Sequence, residues 1–296
     1  MDTVSESQDF HHVWFQNDQS IPFATYNINL PSQPKQVVGI PTLTSLIIPS
    51  TITHTLQHRS TAMAGWKIEQ CTVADAAALA RNNMAAFWED PTWIALWPKD
   101  ITLDFLIEQS TKRQARNLLR SREVTRHEKA VDPTTGAVVG YARWILPRGH
   151  AIAADGKPVW TEAQVPEVSE EERKHYEDLA ASAWWNPQEG MDEIDAKNEV
   201  VMERILSERP YITVHPENQG KGIGTALVQS GIRHAEQLRL PIFILAFKAG
   251  RSIYERLGFR EVDRVIQDDT KYGGEGEYSA YFMVYGVPTK PRSRQE

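Results

Sequence analysis

Three glycines at every second position, Gly220, Gly222 and Gly224, follow the short run Tyr211-Ile212-Thr213-Val214 and lead directly into a stretch with apolar residues at helical spacing. Nothing else in the chain restricts the fold as much. Pro216 cannot donate to a ladder and stops the strand, and Pro210 confines it to four residues on the other side. Glycine takes positive φ without a steric penalty and leaves bare N–H groups open to an anion. The first four amides of the following helix have no intrahelical acceptor, and the helix dipole places its positive end there. Strand, glycine turn and helix start in this order form a seat for a phosphate or pyrophosphate. Lys221 adds a positive charge at its mouth.

Three phosphate-binding patterns compete. A Walker loop needs Gly-x4-Gly-Lys-Ser/Thr, and no such string occurs. A dinucleotide fingerprint needs Gly-x-Gly-x-x-Gly and an acid at the end of the next strand. Here the spacing is Gly-x-Gly-x-Gly, and the next strand, 242–247, ends without an acid. The third pattern, Gln-x-x-Gly-x-Gly, is met by Gln219, Gly222 and Gly224. The plain alternative is a glycine loop that only turns the chain.

Two linked motifs carry a resemblance to the GCN5-related N-acetyltransferases (GNAT), in particular to fungal-type members. One is Val214-x-Pro216-x-x-Gln219-x-x-Gly222-x-Gly224; the other is Ala249-Gly250-x-x-Ile253-Tyr254-x-x-x-Gly258-Phe259. The resemblance implies the α/β acyl-CoA N-acyltransferase fold: a mixed, mostly antiparallel, splayed sheet flanked by helices, with a helical insert before the coenzyme-binding strand. It implies acetyl-CoA as co-substrate and no metal. The amides of Gly220, Lys221, Gly222, Ile223, Gly224 and Thr225, with Gln219, would hold the pyrophosphate. The backbone of Ile212, Thr213 and Val214 would pair with the pantetheine arm like an added strand. A primary amine would attack the thioester directly, and Tyr254 would protonate the departing thiolate. The rival from another class is a non-catalytic acyl-CoA-binding or regulatory module of the same fold. A packing role is the plain reading of Tyr254. No motif names a general base, although Glu203, Glu208 and His215 are near in sequence.

Hydropathy and turn signals place the remaining elements. Alternation over 66–71 predicts a strand, and Thr72 with Asp75 three residues on predicts the start of a helix reaching about 88. A second helix is expected over 102–119, and a hairpin from strands 124–131 and 137–146 joined by Asp132-Pro133-Thr134-Thr135-Gly136. Insert helices are expected over 169–184 and 192–206, then strand 211–214, helix 224–238, strand 242–247, helix 251–257 and strands 259–266 and 278–285. The expected GNAT domain is thus 65–287, with 288–296 a flexible tail. Residues 1–64 read as a flexible leader. They contain no Asp or Glu from Ser20 onward, and prolines interrupt every candidate element.

Composition excludes several classes. No apolar run approaches the ~20 residues of a spanning helix. The 296 residues carry a formal charge of −7, which argues against a general nucleic-acid binder. The one cysteine, Cys71, excludes an internal disulfide and a Cys-based zinc site, and reads as a core thiol. His54 and His58, four apart, lack a third ligand. Residues 150–208 hold 15 acidic and 5 basic side chains. That block reads as a solvated face, or as a surface drawing a cationic acceptor to the site. The expectation is a cytoplasmic protein, the nucleus left open, whose partners are acetyl-CoA and an amine.

Overall fold

The computed structural model describes residues 65–286 except 95–96, 187–195, 199, 202–210, 215, 273 and 275. The leader, the tail and the candidate bases Glu203, Glu208 and His215 therefore lie outside the described residues, as do His54 and His58. Of the expected helix over 192–206, residues 196–198, 200 and 201 are described and are helical.

Among the described residues seven strands form two antiparallel sheets. The first has the order β1 (Lys67–Gln70), β2 (Thr125–Val131), β3 (Val138–Ile145), β4 (Tyr211–Val214); the second is β5 (Ile242–Phe247), β7 (Tyr278–Tyr285), β6 (Arg260–Gln267). The expected splay is complete, since β4 and β5 are edges of separate sheets. Register places Ile212 opposite Ala142, Thr213 opposite Tyr141 and Val214 opposite Gly140.

Besides the helical residues 196–198, 200 and 201, the α-helices among the described residues are α1 (Ala76–Phe87), α2 (Pro91–Ile94), α3 (Leu103–Leu119), α4 (Glu170–Ala181), α5 (Ile223–Leu238) and α6 (Lys248–Arg256). Asp75 links α1 to the sheet. Its carboxylate accepts from the Thr72 amide at 2.8 Å in a capping box, and from Lys129 Nζ on β2 at 2.7 and 2.8 Å. The short turn α2 was not expected from the pattern. It begins with a proline, the residue best suited to a first helical position, and Asp90 Oδ1 accepts the Trp93 amide at 3.3 Å. Helix α4 stops at Ala181, three residues earlier than predicted, because the next residues have other partners. The Trp184 amide donates to Gln109 Oε1 at 2.9 Å, and Trp185 packs edge-on against Trp97. Helix α6 begins three residues earlier than predicted, directly after β5.

The unbroken apolar run of β5 has a tertiary cause. Ile242, Ile244 and Ala246 join the core beneath α5 and α6, with Leu227, Tyr254 and Met283. Phe243 and Phe247 join a second core on the opposite face, with Phe87, Trp93, Trp97 and Phe282. A strand covered on both faces needs no polar alternation. Strands β2 and β3 are covered likewise: His127 and Tyr141 face the α1–α3 side, and Glu128 and Trp144 face α5. Burial, then Arg143 and Arg126, push His127 down to about 3, so the ring stays neutral, hydrogen-bonded to Tyr141 Oη at 2.7 Å.

Helix α5 lies close to the sheet at Gly231, where an added Cβ would come within 2.3 Å of the Trp144 ring. Trp144 is 5% exposed and has no room to withdraw. Gly231→Ala should therefore destabilise the fold by about 1–3 kcal/mol despite alanine's better helix propensity. Urea unfolding at constant m-value checks this; unchanged or increased stability would place Trp144 elsewhere.

Candidate functional site

Strand β4 runs into a 3₁₀ turn, Pro216–Asn218, and the chain reverses through Gly220 and Gly222 at φ 73° and 82°. Both angles fall in the left-handed region that favours glycine. Gly222 is the N-cap of α5, and no side chain caps that end. The first intrahelical bond runs from the Ala226 amide to Gly222 O at 3.0 Å. The amides of Ile223, Gly224 and Thr225 therefore have no intrahelical acceptor. Burial of Ile223, Leu227 and Val228 against the sheets holds this turn of helix in place.

A cavity of about 140 Å³ opens at these amides. Its turn-side wall includes Gln219, Gly220, Gly222, Ile223, Gly224 and Thr225, six residues that the sequence had marked. Lys221 is not part of the wall. Its ammonium donates to Asn218 Oδ1 at 2.9 Å, and its carbonyl accepts Trp66 Nε1 at 2.9 Å. The opposite wall is α6, which contributes Ala249, Ser252, Ile253 and Arg256. Arg256 Nη1 donates to Ser252 Oγ at 3.3 Å, so a guanidinium stands across the cavity from the glycine turn. Sequence reasoning missed Ser252 and Arg256. The available signal was the 249-252-253-256 spacing on the helix after β5, one helical face.

Ile212, Thr213 and Val214 pair with β3 along one edge of β4; the other edge has no strand partner among the described residues. Backbone groups are thus present for an extended ligand arm. Tyr254 neighbours Ile253 in sequence but is not part of the cavity wall. Its ring is 6% exposed and packs edge-on against Phe259 at 5.5 Å. It shares its core with Ala246 of β5 and Tyr281 of β7. Burial alone pushes the phenol well above its ordinary value, so it holds its proton throughout the neutral range.

Among the described residues no three His, Cys, Asp or Glu side chains form a metal-ligand group, and no helix is long and apolar enough to cross a membrane. In the acidic block, Glu170, Glu171, Glu177 and Asp178 of α4 are exposed, the solvated face the charge count predicts.

Residues 191–261 match the family model of the acetyltransferase (GNAT) domain. Part of the chain, 191–261, is thus similar to a GNAT domain. That segment contains β4, the glycine turn, α5, β5 and α6, and with them both walls of the cavity. Over 122 residues the chain is 30% identical to a mycothiol acetyltransferase of Streptomyces coelicolor, covering 36% of this chain and 39% of that protein. The match thus spans about two fifths of the relative's length. Among solved structures, a histone acetyltransferase HPA2 and related acetyltransferase from Corynebacterium glutamicum aligns at TM-score 0.45 and 17% identity, over 77% of this chain and 99% of that one. YncA of Salmonella typhimurium, a putative acetyltransferase with acetyl-CoA, aligns at TM-score 0.38 and 17% identity, over 77% and 98%.

The thiol of Cys71 is buried beside α1, outside the cavity wall, in a core with Leu79, Leu118 and Tyr141. Burial, then the charge of Asp75, raise its pKa well above the ordinary value. As the single cysteine of the chain, it should resist iodoacetamide at pH 8 in the folded protein and react after unfolding. Mass spectrometry of the two samples checks this; equal labelling would place the thiol at the surface.

Proposed function

We propose that the chain is an acetyl-CoA-dependent N-acetyltransferase acting on a primary amine. The observation that carries this reading is the uncapped N-terminus of α5: three amides aimed into a cavity whose far wall holds Arg256. The chemistry fits a diphosphate, because backbone N–H groups, a helix dipole and a guanidinium all favour negative charge there. Gln219, Gly220, Gly222, Ile223, Gly224 and Thr225 would hold it, with Lys221 at the rim. The edge of β4 at Ile212, Thr213 and Val214 that has no strand partner among the described residues would take the pantetheine amides as a strand is taken.

Acetyl-CoA supplies an acetyl group already activated as a thioester. The amine nitrogen forms the new bond to the carbonyl carbon, the carbon–sulfur bond breaks, and the amine gives up a proton to solvent or a base. Tyr254 Oη keeps its proton until the thiolate departs and then transfers it to sulfur. Its raised pKa keeps the phenol protonated throughout the neutral range and makes it a weaker acid towards sulfur, so this role rests on the place of Tyr254 in the motif and not on its pKa. The fungal-type reading rests on the two motifs taken together; the relatives named above are bacterial.

Two substitutions separate coenzyme binding from chemistry. Gly222→Asp puts a side chain at φ 82° and a negative charge where the diphosphate needs bare amides. Calorimetry should show acetyl-CoA affinity falling by more than about tenfold, as loss of a charge-assisted contact predicts. Unchanged affinity would remove the diphosphate assignment.

Tyr254→Phe keeps the ring and deletes the hydroxyl. Here kcat should fall about 10²–10⁴-fold, the usual contribution of a general acid, with acetyl-CoA affinity nearly unchanged. A kcat within about twofold, with chemistry rate-limiting, would make Tyr254 a packing residue. If the unaltered chain binds acetyl-CoA and acetylates no amine in a broad panel, the non-catalytic module is the correct reading.

A further inference from the structure

Two turns beyond the exposed amides, α5 is tied to the first sheet by one buried carboxylate. Glu128 of β2 is 5% exposed. One of its oxygens accepts Ser230 Oγ of α5 at 2.7 Å, and the other accepts Trp144 Nε1 of β3 at 3.1 Å. Three elements therefore meet at a single side chain. Gly231, next along α5, lets the Trp144 ring lie directly under the helix. Trp144 in turn packs against Trp160 with ring centroids 6.0 Å apart, and Trp160 stacks on His234 of α5 at 4.3 Å and 16°. Trp160 takes φ 50°, a left-handed conformation costly for a bulky residue, and these two rings hold it there.

A buried acid is an expensive way to fill a core. Burial raises the Glu128 carboxyl pKa, against the opposing pull of its bonds to Ser230 and Trp144 and of the Arg233 charge. An apolar side chain of similar volume commonly packs as well or better. What the carboxylate adds is direction. The apolar contacts of Ile223, Leu227 and Val228 tolerate small slides and rotations, whereas two hydrogen bonds of defined length do not. From Ser230 to Gly224 the rigid helix covers six residues, about 9 Å along its axis. An error in seating at Ser230 is therefore carried to the coenzyme amides.

We propose that Glu128 is a positioning residue: through Ser230 and Trp144 it holds α5 in the register that aims the amides of Ile223, Gly224 and Thr225 into the phosphate cavity. The inference rests on the acetyl-CoA reading above. Ser230→Ala removes one of the two bonds and keeps a good helix former. Glu128→Leu removes both. Glu128→Gln keeps an acceptor for Trp144 and supplies a donor to the Ser230 hydroxyl, so it should restore the clamp without the charge.

The test uses the full chain, with acetyl-CoA affinity by calorimetry, steady-state kinetics, and hydrogen exchange of the coenzyme-free protein at the amides of residues 226–229. Val165→Ala, which thins a core on the other face of the sheet, controls for stability alone. Ser230→Ala should weaken acetyl-CoA binding about 3–10-fold, the usual effect of one lost hydrogen bond. Its KM should rise equally with kcat unchanged, and exchange at 226–229 should quicken. Glu128→Gln should stay within about twofold of the unaltered chain, and Val165→Ala should lower the Tm without changing affinity.

The proposal is overturned if Ser230→Ala binds acetyl-CoA as the unaltered chain does, or if Val165→Ala weakens binding as much. If the unaltered chain fails to bind acetyl-CoA, the acetyl-CoA reading falls. Exchange at 226–229 then decides the seating of α5 alone: faster in Ser230→Ala upholds it, unchanged overturns it. Should Glu128→Leu not fold, Ser230→Ala decides.

Discussion

The amides at the start of α5, which have no intrahelical acceptor, are the constraint around which the rest is arranged. A helix end normally recruits Ser, Thr, Asp or Asn to satisfy its first N–H groups. Here the N-cap is Gly222, which has nothing to offer them, and the cost is left standing. The surroundings keep that end open. Gly220 and Gly222 leave no Cβ in the turn, the Lys221 ammonium is drawn off to Asn218, and α6 presents Arg256 from the facing wall. An anion bound there gains hydrogen bonds from amides that have no intrahelical acceptor and no side-chain cap among the described residues.

Holding such an end in place requires that the helix be anchored elsewhere. Separation of the two sheets makes this harder, because β4 and β5 share no ladder to brace the gap. Bracing comes from above and below. The core beneath α5 and α6 reaches from Ala142 and Trp144 of the first sheet to Ala246 and Met283 of the second. On the opposite face, the aromatic series Phe87, Trp93, Trp97 and Trp185 joins the α1–α3 layer to Phe243, Phe247 and Phe282. The outer edge of β4 thus has no strand partner among the described residues, while packing on both sides carries the load. Glu128 adds the directional element that apolar packing lacks.

Much of this was legible along the chain, for reasons of range. β1, the hairpin β2–β3, β4, α5 and β5 fall within two residues of where local pattern puts them, since turn chemistry and period are properties of neighbours. The misses share the opposite property. Helix α4 ends early because Trp184 and Trp185 have partners 75 or more residues away, on α3 and beside α2. Helix α2 went unrecognised because four residues carry no period.

By itself, then, the sequence determined the strand, the paired left-handed glycines and the uncapped helix start. These depend on φ preferences and on hydrogen bonds spanning a few residues, which no distant contact needs to supply. It determined too the strand at 242–247, but not that its two faces would enter different cores. Only the tertiary structure decided that Arg256 and Ser252 face the glycine turn, that Tyr254 points away from that cavity into the core, and that a carboxylate on β2 grips a serine 102 residues further along. Each of these depends on how two independently formed elements are brought together, and side-chain periodicity specifies a buried face without naming what will lie against it.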